Sequence, residues 1–150
     1  MGAQSSPVTS LSAGLLIWEI LSQSAGVSAV SSKVYPIVSE ADAKLPYICY
    51  RRAGLQVRPV KGAPGADSAT IEVLCYAQTY KHSVRMAEAV REALDGVQAE
   101  IELDADEEEG EGDGAILAAR SIVLSDASEG WSDDAYFQSL TFVININNYE

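Results

Sequence analysis

One histidine, two cysteines and few basic residues set the first limits on what this 150-residue chain does. His82 is the only histidine, and a nucleophilic centre needs a nucleophile, a base and an orienting acid brought together. Cys49 and Cys75 lie mid-way along strand-like segments, without the sharp turn that exposes a catalytic nucleophile. Hydrolytic chemistry has no foothold here, no catalytic residues are expected, and His82 reads as structural or incidental. Neither cysteine has a histidine or a second cysteine at metal-ligand spacing, so both read as buried reduced thiols, with no metal. Lys and Arg number 10 against 22 Asp and Glu, for a net charge of −12. Neutralising nucleic-acid phosphates takes clustered cations, so direct sequence-specific nucleic-acid binding is not expected. Long apolar runs are missing too. Leu15–Leu21 is interrupted by Glu19, and nothing approaches the ~20 residues of a membrane span. No basic residue precedes Lys33, which removes the charged start of a secretory signal. The expectation is a cytoplasm-like setting with no membrane.

The negative charge is concentrated. Asp104, Asp106, Glu107, Glu108, Glu109, Glu111 and Asp113 place seven carboxylates within ten residues, and without them the −12 falls to −5. Residues 104–114, with Gly110, Gly112 and Gly114 interleaved, read as a flexible solvated loop. A helix-loop-helix calcium site wants Gly at its sixth position and Glu at its twelfth. Counted from Asp104, those positions hold Glu109 and Ala115. The glycines also lack phosphate-cradle spacing, and seven carboxylates would repel a phosphate.

What the chain has in plenty is alternation. Thr70–Tyr76 is rich in β-branched and aromatic residues, with Ile71, Val73 and Cys75 on one face and Glu72, Leu74 and Tyr76 on the other. The period then changes: Tyr80, Val84, Ala87, Val90 and Leu94 recur at helical spacing, with Thr79 as N-cap and Gly96 as C-terminal stop. Ser10–Ser24 reads as an earlier helix. Its broad stripe of Leu11, Leu15, Leu16, Trp18, Ile20 and Leu21 is either core or a face shared with another subunit. Ala25–Ser32 reads as a connector, and Lys33–Val38, with Pro36 inside it, as an edge strand or extended arm. Tyr47–Arg52 reads as a strand that ends or bends at Arg51 and Arg52, and Gly54–Asp67 as a hairpin loop into the next strand, with Leu55, Val57 and Val60 placed to extend the strand before a tip at Gly62–Gly65. Val97–Leu103, Ala115–Asp126 and Ala135–Asn147 alternate as strands, with Ala127–Asp134 as a turn. This predicts one α+β domain over residues 1–150, with residues 1–10 a flexible tail. Its sheet is antiparallel or mixed, with two main helices packed on one face.

Three segments of this pattern resemble the phage tail completion or tail-terminator-like family. They are VYPIV after the first helix (Val34–Val38), the Leu-Pro-aromatic strand start LPYICYRR (Leu45–Arg52), and the strand, Tyr-containing corner and amphipathic helix of Ile71–Gly96. Asp134–Ile144 fits the family's closing strand, so the resemblance runs from about Leu15 to Ile144. The 104–114 insertion and the Asn-rich end, Asn145–Tyr149, depart from it. The resemblance implies a non-enzymatic structural protein without cofactor, located in the virion at the head–tail junction and in the host cytoplasm during assembly. It would complete the tail tube and join it to the head connector as a homo-oligomeric, six-fold ring. Its partners would be itself, the tail tube protein and the head connector protein. The alternative is a small α+β interaction or adaptor domain unrelated to virions. Ring closure needs a heterologous contact. An edge strand and a projecting hairpin suit one, which nominates Val34, Tyr35, Pro36, Ile37 and Val38 together with Arg51, Arg52, Arg58 and Lys61. The acidic loop would face either the ring lumen or solvent.

Overall fold

The computed structural model describes residues 10–31, 33–39, 41–57, 66–103 and 115–147. Among the described residues, six strands form one sheet: β1 (Val34–Pro36), β2 (Tyr47–Gln56), β3 (Ala66–Ala77), β4 (Ala99–Leu103), β5 (Ala115–Ser132) and β6 (Ala135–Asn147). Their order is β1-β2-β3-β6-β5-β4. β1 runs parallel to β2, with Val34 opposite Ile48, and every other pair is antiparallel. The expected mixed α+β sheet is therefore present, with the proline-bearing segment at one edge.

Period-two alternation divides the sheet into two faces. Ile48, Ile71, Val73, Cys75, Leu140, Phe142, Ile144 and Ile146 are buried on one of them. The helices α1 (Ala13–Gln23) and α3 (Tyr80–Leu94) cover that face with Leu16, Ile17, Leu21, Met86, Val90 and Leu94. A 3-10 turn, Ser10–Ser12, leads into α1. Thr79 caps α3 as expected: its Oγ1 accepts from the His82 backbone N–H at 3.1 Å. Gly96, at φ 80°, turns the chain out of the helix. Its N–H donates to the Ile122 carbonyl at 2.6 Å, and Asp95 Oδ1 accepts from the Leu124 N–H at 2.9 Å. The helix exit thus satisfies backbone groups on the outer edge of β5.

Four expectations change, and one alternative is decided. The connector contains a short helix, α2 (Ala25–Val30), because Ser24 Oγ accepts from the Val27 N–H at 3.2 Å and Val27 is buried. At Arg51 and Arg52 the chain bends rather than ends the strand: the register slips between Arg52 and Gly54, and β2 continues through Leu55 to Gln56. The turn at Ala127–Asp134 shrinks to Asp133 and Asp134. Their φ values of 52° and 62° close a two-residue hairpin, and β5 extends to Ser132 opposite Ala135. The inner face of α3 runs Ser83, Met86, Val90, Leu94 rather than Tyr80, Val84, Ala87, Val90, Leu94. Ser83 can be inside because its hydroxyl donates to the Tyr80 carbonyl at 2.7 Å, whereas Tyr80 is 49% exposed. Finally, the broad stripe of α1 is two surfaces. Ala13, Leu16, Ile17 and Leu21 are core, while Leu11, Leu15 and Trp18 are 59%, 50% and 43% exposed.

Candidate interface surfaces

Among the described residues, the second face of the sheet carries no helix, and its residues fall into two territories. One is aromatic. Tyr47 stands opposite Tyr76, and Tyr76 opposite Phe137, so the strand register stacks their rings across three strands. Ring centroids are 6.0 Å apart for Tyr35–Tyr47, 5.1 Å for Tyr47–Tyr76 and 6.0 Å for Tyr76–Phe137. The row ends at Gly130, opposite Phe137, where a Cβ would come within 2.6 Å of the Phe137 ring. Glycine is what lets that ring lie flat on β5.

The other territory is polar. Arg51 Nε lies 2.7 Å from Glu72 Oε1, and the Ser139 hydroxyl donates to Glu72 Oε2 at 2.9 Å. The Arg51 hydrogen bond, helped by Ser139 and opposed by partial burial, holds the Glu72 carboxyl below its ordinary range. Further along, Ser68 Oγ donates to Asn145 Oδ1 at 2.9 Å and Asn145 Nδ2 donates to Ser121 Oγ at 2.8 Å.

At the aromatic end the segment between β1 and β2 folds over the sheet and leaves an open cleft of about 600 Å³. Ile37, Val38, Leu45, Cys49, Leu74 and Phe137 supply its apolar walls, and Asp133 of the hairpin turn stands in its lining. The rim is strained. Ile37 has φ 66°, a rare conformation for a β-branched residue, and the Val38 N–H donates to the Pro36 carbonyl at 2.6 Å across it. The Ile37 N–H donates to the Tyr50 carbonyl at 2.7 Å. This turn leaves Ile37 72% and Val38 70% exposed.

The cleft has little reactive chemistry. Burial pushes the Cys49 thiol up, against a backbone hydrogen bond from Ser39. On the other face, burial pushes Cys75 up to about 12. Both are thiols rather than thiolate nucleophiles at neutral pH. His82 Nε2 lies 2.9 Å from the Val30 carbonyl and ties α3 to α2, in keeping with a structural reading. Among the described residues, no three His, Cys, Asp or Glu side chains converge as metal ligands.

A smaller aromatic group lies at the N-terminus of α3. Tyr80 packs edge-on against Tyr136 with centroids 6.1 Å apart, its hydroxyl donates to Glu129 Oε1 at 2.9 Å, and Trp131 stands opposite Tyr136. The Glu129 hydrogen bond raises the Tyr80 hydroxyl above its ordinary value.

Of the residues nominated from the sequence, Val34 and Tyr35 are half-buried in the edge strand, and Pro36, Ile37 and Val38 are exposed. Arg51 and Arg52 do not form one basic patch. Arg51 turns to the open face and pairs with Glu72, while Arg52 Nη1 donates to the Leu11 carbonyl at 2.7 Å on the helix side. Arg58 and Lys61 lie outside the described residues, as do Asp104, Asp106, Glu107, Glu108, Glu109, Glu111 and Asp113. Leu15 and Trp18 were legible as apolar, but the split of their helix into inner and outer stripes was not.

No protein-family model matches the sequence, and no curated protein matches it. Among solved structures, a chain from the virion of a native gene transfer agent (GTA) particle shares the fold, with a TM-score of 0.63 and 16% sequence identity. The likeness covers 87% of this chain and 91% of that chain.

Proposed function

We propose that this chain is a non-enzymatic structural protein of a phage or prophage virion. It completes the tail tube and joins it to the head connector as a ring oligomer. One observation carries the reading: the fold is shared over almost the whole of both chains with a chain of a virion particle. The surfaces support it. Ile37, Val38, Leu15 and Trp18 expose apolar area on two separate sides of the molecule, as a protein that works by contact with neighbours would. The thiols support it from the chemical side, since the buried cysteines are held protonated and so make poor nucleophiles. The test is direct. Purified protein added to purified tail tubes should sediment with them and saturate at a small fixed number of copies per tube. Failure to add, with the protein intact and folded, would remove the tail reading and favour an adaptor domain.

A further inference from the structure

β5 is longer than the strand that covers its outer edge. β4 pairs with residues 115–119 only, whereas β5 runs to Ser132. Next along that edge, the Ile122 carbonyl and the Leu124 N–H bond to Gly96 and Asp95 at the helix exit. After the register slip between Leu124 and Asp126, no strand lies against the edge among the described residues. The two-residue hairpin sets which groups point outward. Ser132 pairs with Ala135 across the turn, so Ser128, Gly130 and Ser132 turn their N–H and C=O groups toward β6. The backbone groups of Ala127, Glu129 and Trp131 therefore face away from the sheet, and all three residues are exposed. An open row of alternating donors and acceptors is matched by a second extended backbone.

The side chains on this edge narrow the partner. Glu129 is held in place: its Oε1 accepts from the Tyr80 hydroxyl at 2.9 Å and from Gln138 Nε2 at 3.1 Å. No Lys or Arg pairs with it among the described residues. Lys81, next in sequence to Tyr80, lies instead beside Ala29 and Val30 of α2. Trp131 and Tyr80, 60% and 49% exposed, stand on either side of Glu129. Asp126, Asp133 and Asp134 add three carboxylates nearby, and no Lys or Arg follows Arg120 in the sequence. A fixed carboxylate beside exposed aromatic rings is a setting in which a guanidinium both bonds and stacks. The sheet edges of a second copy do not offer one. β4 carries Glu100 and Glu102, β1 is three residues long with Pro36 in it, and β5 against itself would bring carboxylates together.

We infer that the outer edge of β5 at residues 127–131 takes an extended segment of a different polypeptide by strand addition, with an arginine of that segment on the Glu129 carboxylate. This goes beyond the virion reading and does not rest on it. The probe is a capped seven-residue peptide of alternating threonine and valine with a central arginine. In the free chain, amide exchange resolved by NMR should be faster at Ala127, Glu129 and Trp131 than at Ser128, Gly130 and Ser132. With the peptide, the fast set should slow. Replacing the peptide's arginine with glutamate, or Glu129→Gln in the chain, should weaken binding about tenfold, as loss of a charge-assisted hydrogen bond does. Ala127→Pro removes an outward N–H and none that β6 uses, so that variant should fold and should not bind. The exchange pattern is read on the unaltered chain, so it decides the matter even if Ala127→Pro misfolds. The inference is overturned by a peptide that does not bind, or by binding that leaves the three amides fast. It is also overturned by binding that a folded Ala127→Pro chain retains, which would mean charge attraction alone. Slowing of the same amides with rising protein concentration and no peptide would overturn it too, because the occupant would then be a second copy.

Discussion

Glu72 shows how a single side chain on the open face is tuned by its neighbours. Arg51 and Ser139 both hydrogen-bond its carboxylate, and its pKa lies below the ordinary 4.5. The folded chain therefore holds the charged form more firmly than the unfolded chain does. That contribution is complete above the unfolded pKa and is lost as the pH falls through the folded one. Glu72→Gln should lower stability at neutral pH, and the difference from the unaltered protein should shrink in acid. Denaturant midpoints measured across that range would check it, and a difference independent of pH would contradict it. Gly130 is a second case. A Cβ there would meet the Phe137 ring at 2.6 Å, and that ring is held from its other side by Tyr76. Gly130→Ala should cost roughly 1–3 kcal/mol, the usual range for forcing extra volume into packed space. Adding Phe137→Leu should recover part of the loss, which a thermodynamic cycle would read.

At the scale of elements, α3 gives the sharpest contrast. Met86 is fully buried and Tyr80 is half-exposed, although the helical spacing ranks Tyr80 as core. Met86→Ala should cost about 2–5 kcal/mol, and Tyr80→Ala well under half of that, in the same chemical-denaturation assay. Equal costs would mean that the helix is rolled differently. The miss has a physical reason: Ser83 is polar by type but bonds its hydroxyl to the Tyr80 carbonyl, so it enters the core without an unmet donor. Where alternation was strong, in β3 and β6, both the strands and their inner faces were legible from residue order alone. α2 was not, since AGVSAV shows no stripe and depends on the Ser24 cap. Nor was the length of β5, because two consecutive aspartates in left-handed backbone are needed to close its hairpin so tightly. The cleft was the least legible of all. Its walls come from β2, β3, β6 and the segment after β1, which only the sheet order brings together. Ile37 and Val38 were read as part of an edge strand or extended arm, but the strained turn that presents them is a feature of backbone geometry and leaves no residue signature.

For the whole molecule, one face of the sheet is covered by helices, and the other, among the described residues, carries none. α1 and α3 bury the first face, and the outer side of α1 then adds an apolar surface of its own. Exposed apolar residues on both sides of the sheet are what the proposed virion role would use. Labelling the chain in purified particles and locating it by electron microscopy tests this most directly. The account predicts label at one end of the tail tube, where tail and head meet. Label spread along the tube wall, or particles that lack the chain altogether, would contradict it.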